Sequence, residues 1–202
     1  MVVAELAPPT TARIGVATAA DAERVVATLT RAFGADPLVR WIYPDLRQYR
    51  TWWPEVLAAY AAGALEHGTA YYADGFAGAA LWLPPGVAPD EAALAALLEE
   101  SIPAPEQAEV FGVLEQMGAA HPHEPHWYLP FLGVEPSHQG KGHGSALLRH
   151  ALARCDRDHL PAYLEATSPS NRRLYERHGF EGVGTIQAGS SPPMWPMARA
   201  PR

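Results

Sequence analysis

One cysteine, Cys155, stands alone in a chain of 202 residues. No intrachain disulfide can form, which suits a reducing cytosol. Positive charge is scarce: 15 Lys and Arg against 22 Asp and Glu leave a formal charge of −7. Without a Lys/Arg-rich face, neither nucleic acid nor an anionic membrane surface is the expected partner. No apolar run approaches the roughly 18 residues that span a bilayer. The opening MVVAELAPPTTAR lacks a basic segment followed by a continuous apolar one, so no signal peptide is expected. His121, His123 and His126 sit in a Pro-rich loop without helical or Cys-x-x-Cys spacing, and no metal is expected there. No Gly-x-Ser-x-Gly elbow is present, so a serine-triad hydrolase is set aside. Repeats, low-complexity tracts and linkers are missing too. The expectation is one soluble, cytoplasmic domain spanning residues 1–202.

What is there is an alternation of periods. A short strand over 13–17 precedes a helix that Thr18 and Asp21 open as a capping-box variant and that runs to about Gly34. Asp36-Pro37 starts a second short helix. A third covers about 49–67, with Trp53, Val56, Leu57 and Tyr60 at helical spacing. Strands over 69–73 and 76–83 meet at Asp74-Gly75, a hairpin signal. One helical pattern fills 89–120. From Trp127 the order becomes strand (127–134), helix from near Gly142, strand (161–166) and short helix (170–178) closed by Gly179. Candidate strands over 180–186 and 194–198 complete an α/β domain. The run Pro192–Pro196 would offer an exposed edge through which two copies could pair, so a homodimer is a possible assembly.

The chemistry concentrates between Phe131 and Ser145. A strand ends, Glu135-Pro136 turns the chain, and a Gly-rich loop feeds directly into a helix. Such a loop aims backbone N–H groups and the positive helix end at one point, which suits a diphosphate. Gly140, Gly142 and Gly144 let the backbone approach an anion closely. A Walker A loop fails because Lys141 is followed by Gly142 and Glu135 stands where the first glycine belongs. A dinucleotide fingerprint fails because Ser145 replaces its third glycine. What remains is Gln/Arg-x-x-Gly-x-Gly/Ala, matched by Gln139, Gly142 and Gly144.

That segment resembles the acetyl-CoA-binding motif of the GNAT N-acetyltransferases. Asn171-Arg172-Arg173-Leu174-Tyr175-Glu176-Arg177-His178-Gly179-Phe180 resembles the same family's second signature, N-x-x-x-Y-x-x-x-G-F. The likeness covers roughly residues 124–180 and in its motifs is nearest to puromycin N-acetyltransferase-like small-molecule enzymes. It is carried also by Glu124-Pro125, Leu164-Glu165 and, faintly, Ala32-Phe33. The resemblance implies a GNAT fold: a mixed, twisted sheet of six or seven strands, helices on both faces, and two central strands that splay apart. It also implies acetyl-CoA as co-substrate and an amine of a small molecule as acceptor. The acceptor attacks directly in a ternary complex.

On that reading Leu132, Gly133 and Val134 offer backbone groups to the pantetheine arm. Gln139, Gly140, Lys141, Gly142, His143, Gly144 and Ser145 form the pyrophosphate loop, and Asn171 bonds the arm from the later helix. Pro130 cannot donate to a sheet ladder, so it marks either a bulge or a strand end. Tyr175 is placed as the general acid for the leaving thiolate; the plainer alternative is a core tyrosine. The strand before the loop carries no Glu, so Glu165, a carboxylate in an apolar strand, is the candidate base or ammonium partner. A purely structural tie between loops is the alternative. Lys141 faces phosphate or solvent, and Cys155 is a buried hydrophobe. Phe33, Asp36, Trp41, Tyr43, Trp127 and Tyr128 are candidates for the acceptor side. Two other functions stay open: a non-catalytic acyl-CoA-sensing module, and a protein N-terminal or lysine acetyltransferase.

Overall fold

The computed structural model describes residues 12–202; most of the opening stretch read for a leader lies outside them. Seven strands form one sheet in the order β1-β2-β3-β4-β5-β7-β6. They are β1 Ile14–Val16, β2 Ala70–Ala73, β3 Gly78–Leu83, β4 Trp127–Val134, β5 Ala162–Ala166, β6 Glu181–Gly182 and β7 Trp195–Arg199. The helices are α1 Ala22–Ala32, α2 Pro37–Ile42, α3 Leu46–Glu66, α4 Glu91–Ser101, α5 Ala104–Ala120, α6 His143–Arg157 and α7 Pro169–Arg177. Every strand pair is antiparallel except β4 with β5.

Alternation along β3 divides the core in two. Ala79, Leu81 and Leu83 pack with Val25 and Leu29 of α1 and Trp53, Val56 and Leu57 of α3. Ala80 and Trp82 point the other way, onto Leu147, Leu148, Ala151 and Cys155 of α6. Successive strand residues face opposite sides, so a nearly continuous apolar strand needs helices on both faces. Each fully buried leucine in these layers contributes about 2 kcal/mol. Cys155 is one of the packed residues; burial pushes its thiol up to about 12, which leaves it unreactive at neutral pH.

Several boundaries differ from the sequence expectation. The helical stretch over 89–120 is two helices, because Pro103 has no N–H to continue the ladder. The β2–β3 connection is not a two-residue hairpin. Its register pairs Ala73 with Gly78, and Asp74, Gly75 and Phe76 all take positive φ, 39°, 68° and 78°. Phe76 is held there by its stack on Tyr72 at 4.1 Å and by the Arg24 guanidinium 3.9 Å over the ring. Of the candidate strand over 180–186 only Glu181–Gly182 pairs, with an isolated bridge at Ile186. The Pro192–Pro196 edge is a correction. Trp195 and Pro196 belong to β7, paired with β5 on one side and followed by β6 on the other, so that run is not a free edge for a second copy. Among the described residues, no helix is long and apolar enough to cross a membrane.

Candidate active site

The parallel strands β4 and β5 pair only at Trp127 with Ala162 and Tyr128 with Tyr163. Beyond Tyr128 they separate, while β4 continues on β3 through Phe131, Leu132, Gly133 and Val134. The cause is visible one residue later. Between Leu81 and Leu83 the β3 register advances two residues while β4 moves three, from Phe131 to Tyr128. The extra residue is the bulge expected at Pro130. It also shifts parity, so Tyr128 and Phe131, three apart, both pack on the α1/α3 side.

The splay opens onto a cleft of about 620 Å³. Leu132, Gly133, Val134, Gln139, Gly140, Gly142, His143, Gly144, Ser145 and Asn171 all line it. Gly142 is the N-cap of α6 with φ 87°, and Gly140 has φ 75°. A Cβ on either would meet nothing within 4 Å, so both present bare backbone toward open space. Gly133 has a second duty, because a Cβ there would lie 2.6 Å from Ala32 Cβ. Gly144 packs under Leu174 of α7. His143 is buried with Nδ1 unpartnered, 3.5 Å from Asp74 Oδ2. A bare helix start with free backbone amides fits an anionic group.

Not every expected loop residue points inward. Lys141 is exposed, donates from Nζ to the Ser137 carbonyl at 3.0 Å, and does not line the cleft. Gln139 donates to the Val134 carbonyl at 3.2 Å. Glu135 opens the turn as expected, and its Oε1 also accepts from Arg31 Nε at 2.6 Å, pinning α1 beside the loop.

Glu165 and Tyr175 occupy opposite faces of the sheet. Ala162, Leu164 and Ala166 pack on the α6 side, which sends Tyr163 and Glu165 the other way. The Glu165 side chain is 4% exposed and accepts from the Tyr128 hydroxyl at Oε2, 3.0 Å. Among the described residues, its Oε1 and the Tyr163 hydroxyl are buried without a hydrogen-bond partner. Burial lifts the carboxyl to about 7, with the Tyr128 hydrogen bond acting in the opposite direction. Tyr175 packs on the α6 side. Burial, and then the negative charge of Asp36, raise its phenol above the ordinary value. Asp36 caps α2 through the Leu38 and Val39 amides at 3.0 and 3.1 Å and accepts from Thr167 Oγ1. A narrow channel of about 80 Å³ through the splay is lined by Glu165, Tyr175, Asn171, Pro130 and Leu132. It shares Leu132 and Asn171 with the cleft.

On the other side the channel shares Glu165, Tyr128, Tyr60 and Met117 with a cavity of about 1110 Å³ under α4 and α5. His121 and His126, at the two ends of the Pro-rich loop, line that cavity. His121 Nδ1 lies 4.0 Å from Glu165 Oε1, and its Nε2 is 2.9 Å from His126 Nε2. His126 Nδ1 is 2.7 Å from the Glu124 carbonyl. Burial, then the neighbouring His126, lower His121 to about 4. The signal for this group was parity: His126 and Tyr128 are two apart at the mouth of β4. Of the acceptor-side candidates, Tyr128, Phe33 and Asp36 line the channel or the cleft. Trp127 is buried in the α6-side core. Tyr43 is buried against Ser101, and Trp41 is tied to Ser190; neither lines the channel or cavity.

A profile of the Acetyltransferase (GNAT) family matches residues 33–180. An uncharacterized N-acetyltransferase of Schizosaccharomyces pombe is 43% identical over 54 residues, which is 27% of this chain and 22% of that protein. A mycothiol acetyltransferase of Acidothermus cellulolyticus is 41% identical over 71 residues, 33% of this chain and 21% of the relative. The matched stretch thus spans about a fifth of the length of these curated relatives. A Corynebacterium glutamicum structure described as histone acetyltransferase HPA2 and related acetyltransferase superposes with TM-score 0.68 at 29% identity, over 96% of this chain and 98% of that one. Arylalkylamine N-acetyltransferase 2 of Aedes aegypti shares the fold at TM-score 0.70 and 15% identity, over 96% and 100%. With its seven-stranded mixed sheet, splayed centre and matched motifs, the chain belongs to the GNAT acetyltransferase family.

Proposed function

We propose that this protein transfers the acetyl group of acetyl-CoA to the primary amine of a small molecule, by direct attack while both substrates are bound. The observation that carries this is the channel through the β4–β5 splay. It has a buried carboxylate on one face and a buried phenol on the other, and it shares lining residues with the glycine-lined cleft and with the larger cavity. The bare amides at Gly140 and Gly142 suit the pyrophosphate of the co-substrate. Backbone groups of Leu132, Gly133 and Val134 on the unpaired side of β4 suit its amide arm, and Asn171 adds a side chain from α7. An amine acceptor agrees with a cavity lined, among the described residues, by no Lys or Arg.

The chemistry follows from the two acids. An alkyl ammonium entering the cavity gives one proton to ionised Glu165, and the freed lone pair attacks the thioester carbonyl. A tetrahedral oxyanion forms, the C–S bond breaks, Tyr175 protonates the departing sulfur, and the second proton lost by the acylated nitrogen returns through water to the Tyr175 phenolate. Glu165 near neutrality is matched to taking and releasing a proton, whereas a raised phenol keeps its proton until a thiolate appears. A water between Glu165 and His121, 4.0 Å apart, would give the proton a way out along the histidines. The Glu124 carbonyl can only accept, so His126 Nδ1 carries a hydrogen and its Nε2 is the acceptor. His121 then donates from Nε2, which leaves its Nδ1 lone pair toward Glu165. A proton reaching Nδ1 releases one from Nε2 to His126 and on to water.

The test is acetyl-CoA-dependent thiol release over a panel of small amines and N-terminal or lysine peptides. Amine turnover above peptide turnover supports this reading. Peptide preference moves the protein to the protein acetyltransferases. Binding of CoA without release on any acceptor leaves an acyl-CoA sensor.

A further inference from the structure

The acceptor cavity is built for more than an amine. Its volume of about 1110 Å³ exceeds the roughly 300–1,000 Å³ of an ordinary small-molecule site. At its floor stand Glu165, Tyr128 and His121. Its walls are the Pro84–Pro89 loop, α4 and α5. Val110 and Val113 are buried in core beside this wall, and Leu98 is a buried part of the lining itself. Leu94, Phe111, Leu114 and Met117 line the cavity and are only half-buried, so four large apolar side chains share one unfilled space.

Charge is arranged around this apolar wall in one sense. Glu91, Glu115 and Glu124 also line the cavity, and all three are exposed. They form a solvated rim that attracts cations at a distance and is screened by salt. Glu165 is the carboxylate at the buried end.

We infer that the acceptor is a primary amine carried on a single bulky apolar body. Its ammonium meets Glu165, and its body lies against Leu94, Phe111, Leu114 and Met117. Such a body removes these side chains from water. A second ammonium lying among them would instead lose its water there, which is costly, because the other carboxylates of the cavity, Glu91, Glu115 and Glu124, stand at the solvated rim. A linear polycation is therefore disfavoured despite the acidic rim. This rests on the acetyl-transfer reading for the role of Glu165, but the shape and lining of the cavity stand apart from it.

The experiment compares 2-naphthylethylamine with ethylamine, agmatine and spermidine, by thiol release with acetyl-CoA and by calorimetric binding to the CoA-loaded protein. The naphthyl amine is expected to exceed agmatine and spermidine in kcat/KM by at least about tenfold. F111A is expected to raise its KM about tenfold and to reduce the naphthyl-over-ethyl selectivity by a similar factor, and M117A to do the same more weakly. Equal or better turnover of agmatine or spermidine overturns the inference. So does a selectivity ratio that stays at the wild-type value in folded F111A and M117A. If no amine is acetylated, yet the naphthyl amine binds more tightly than agmatine and loses that advantage in F111A, the cavity assignment stands and the transfer reading falls. If no amine binds or reacts, both fall.

Discussion

The Tyr128 hydroxyl donates to Glu165 Oε2 at 3.0 Å, linking residues 37 positions apart beside the last paired rung of β4 and β5. The rung gives Glu165 a fixed donor, and burial holds its carboxyl near 7. The proposed base must be ionised to act, so kcat/KM should rise with pH and level off above about 7. E165Q should remove that limb and lower turnover by about 10²-fold, the lower part of the range for general bases. Y128F removes a hydrogen bond to the charged form, so the limb should move to higher pH. A pH–rate profile of the three proteins checks this; an unmoved limb in Y128F assigns the ionisation to another group.

Tyr175 acts later, on the leaving sulfur. Y175F keeps the ring that packs 6.0 Å from Phe180 and removes only the hydroxyl. Turnover should fall at least about tenfold while CoA affinity by calorimetry changes little. Unchanged turnover would remove Tyr175 from the mechanism.

Two glycines should fail in different ways. G142A adds a Cβ with nothing within 4 Å, but at φ 87°. Its cost is backbone strain of about 1–2 kcal/mol, felt where the loop must present its amides. A roughly tenfold weaker CoA Kd is expected, with turnover at saturation little affected. G133A is the reverse case. Its Cβ would collide with Ala32 at 2.6 Å, so α1 must shift and Tm should fall before any binding effect is seen. Calorimetry and thermal melts of both variants separate the two roles.

Much of this was legible because motif and periodicity are local. Gln139, Gly142 and Gly144 announce an anion loop, and Pro130 announces the bulge that releases β4 from β5. Residues 162–166 alternate, which places Glu165 on the face away from α6. The remainder depends on contacts distant in sequence. Nothing near Glu165 in the chain names Tyr128 as its donor. The half-buried faces of α4 and α5 become a cavity wall only when folded over the sheet. His121 and His126 are loop residues, as their spacing suggests, and only the fold brings them to each other and to Glu165. Lys141, which the motif allowed to face either phosphate or solvent, is exposed and reaches back to Ser137.

Glu165 and His121 also make opposite demands on stability. The Glu165 pKa is raised from 4.5 to about 7. The folded state therefore keeps a proton that the unfolded chain releases, and stability falls as pH climbs through that window. The His121 pKa is lowered from 6.5 to about 4. The unfolded chain there binds the extra proton, so stability rises over nearly the same range. The two slopes oppose each other in the wild type and should come apart in single variants. E165Q removes the falling part and should gain on the order of 3 kcal/mol relative to wild type by pH 8. H121N removes the rising part, so its stability relative to wild type should be greatest near pH 4 and should fall as pH rises to 6.5. Denaturant unfolding of the three proteins between pH 4 and 8 measures both differences. Parallel curves for wild type and E165Q would mean that Glu165 ionises in the folded protein as it does in water, and the buried base would be lost with it.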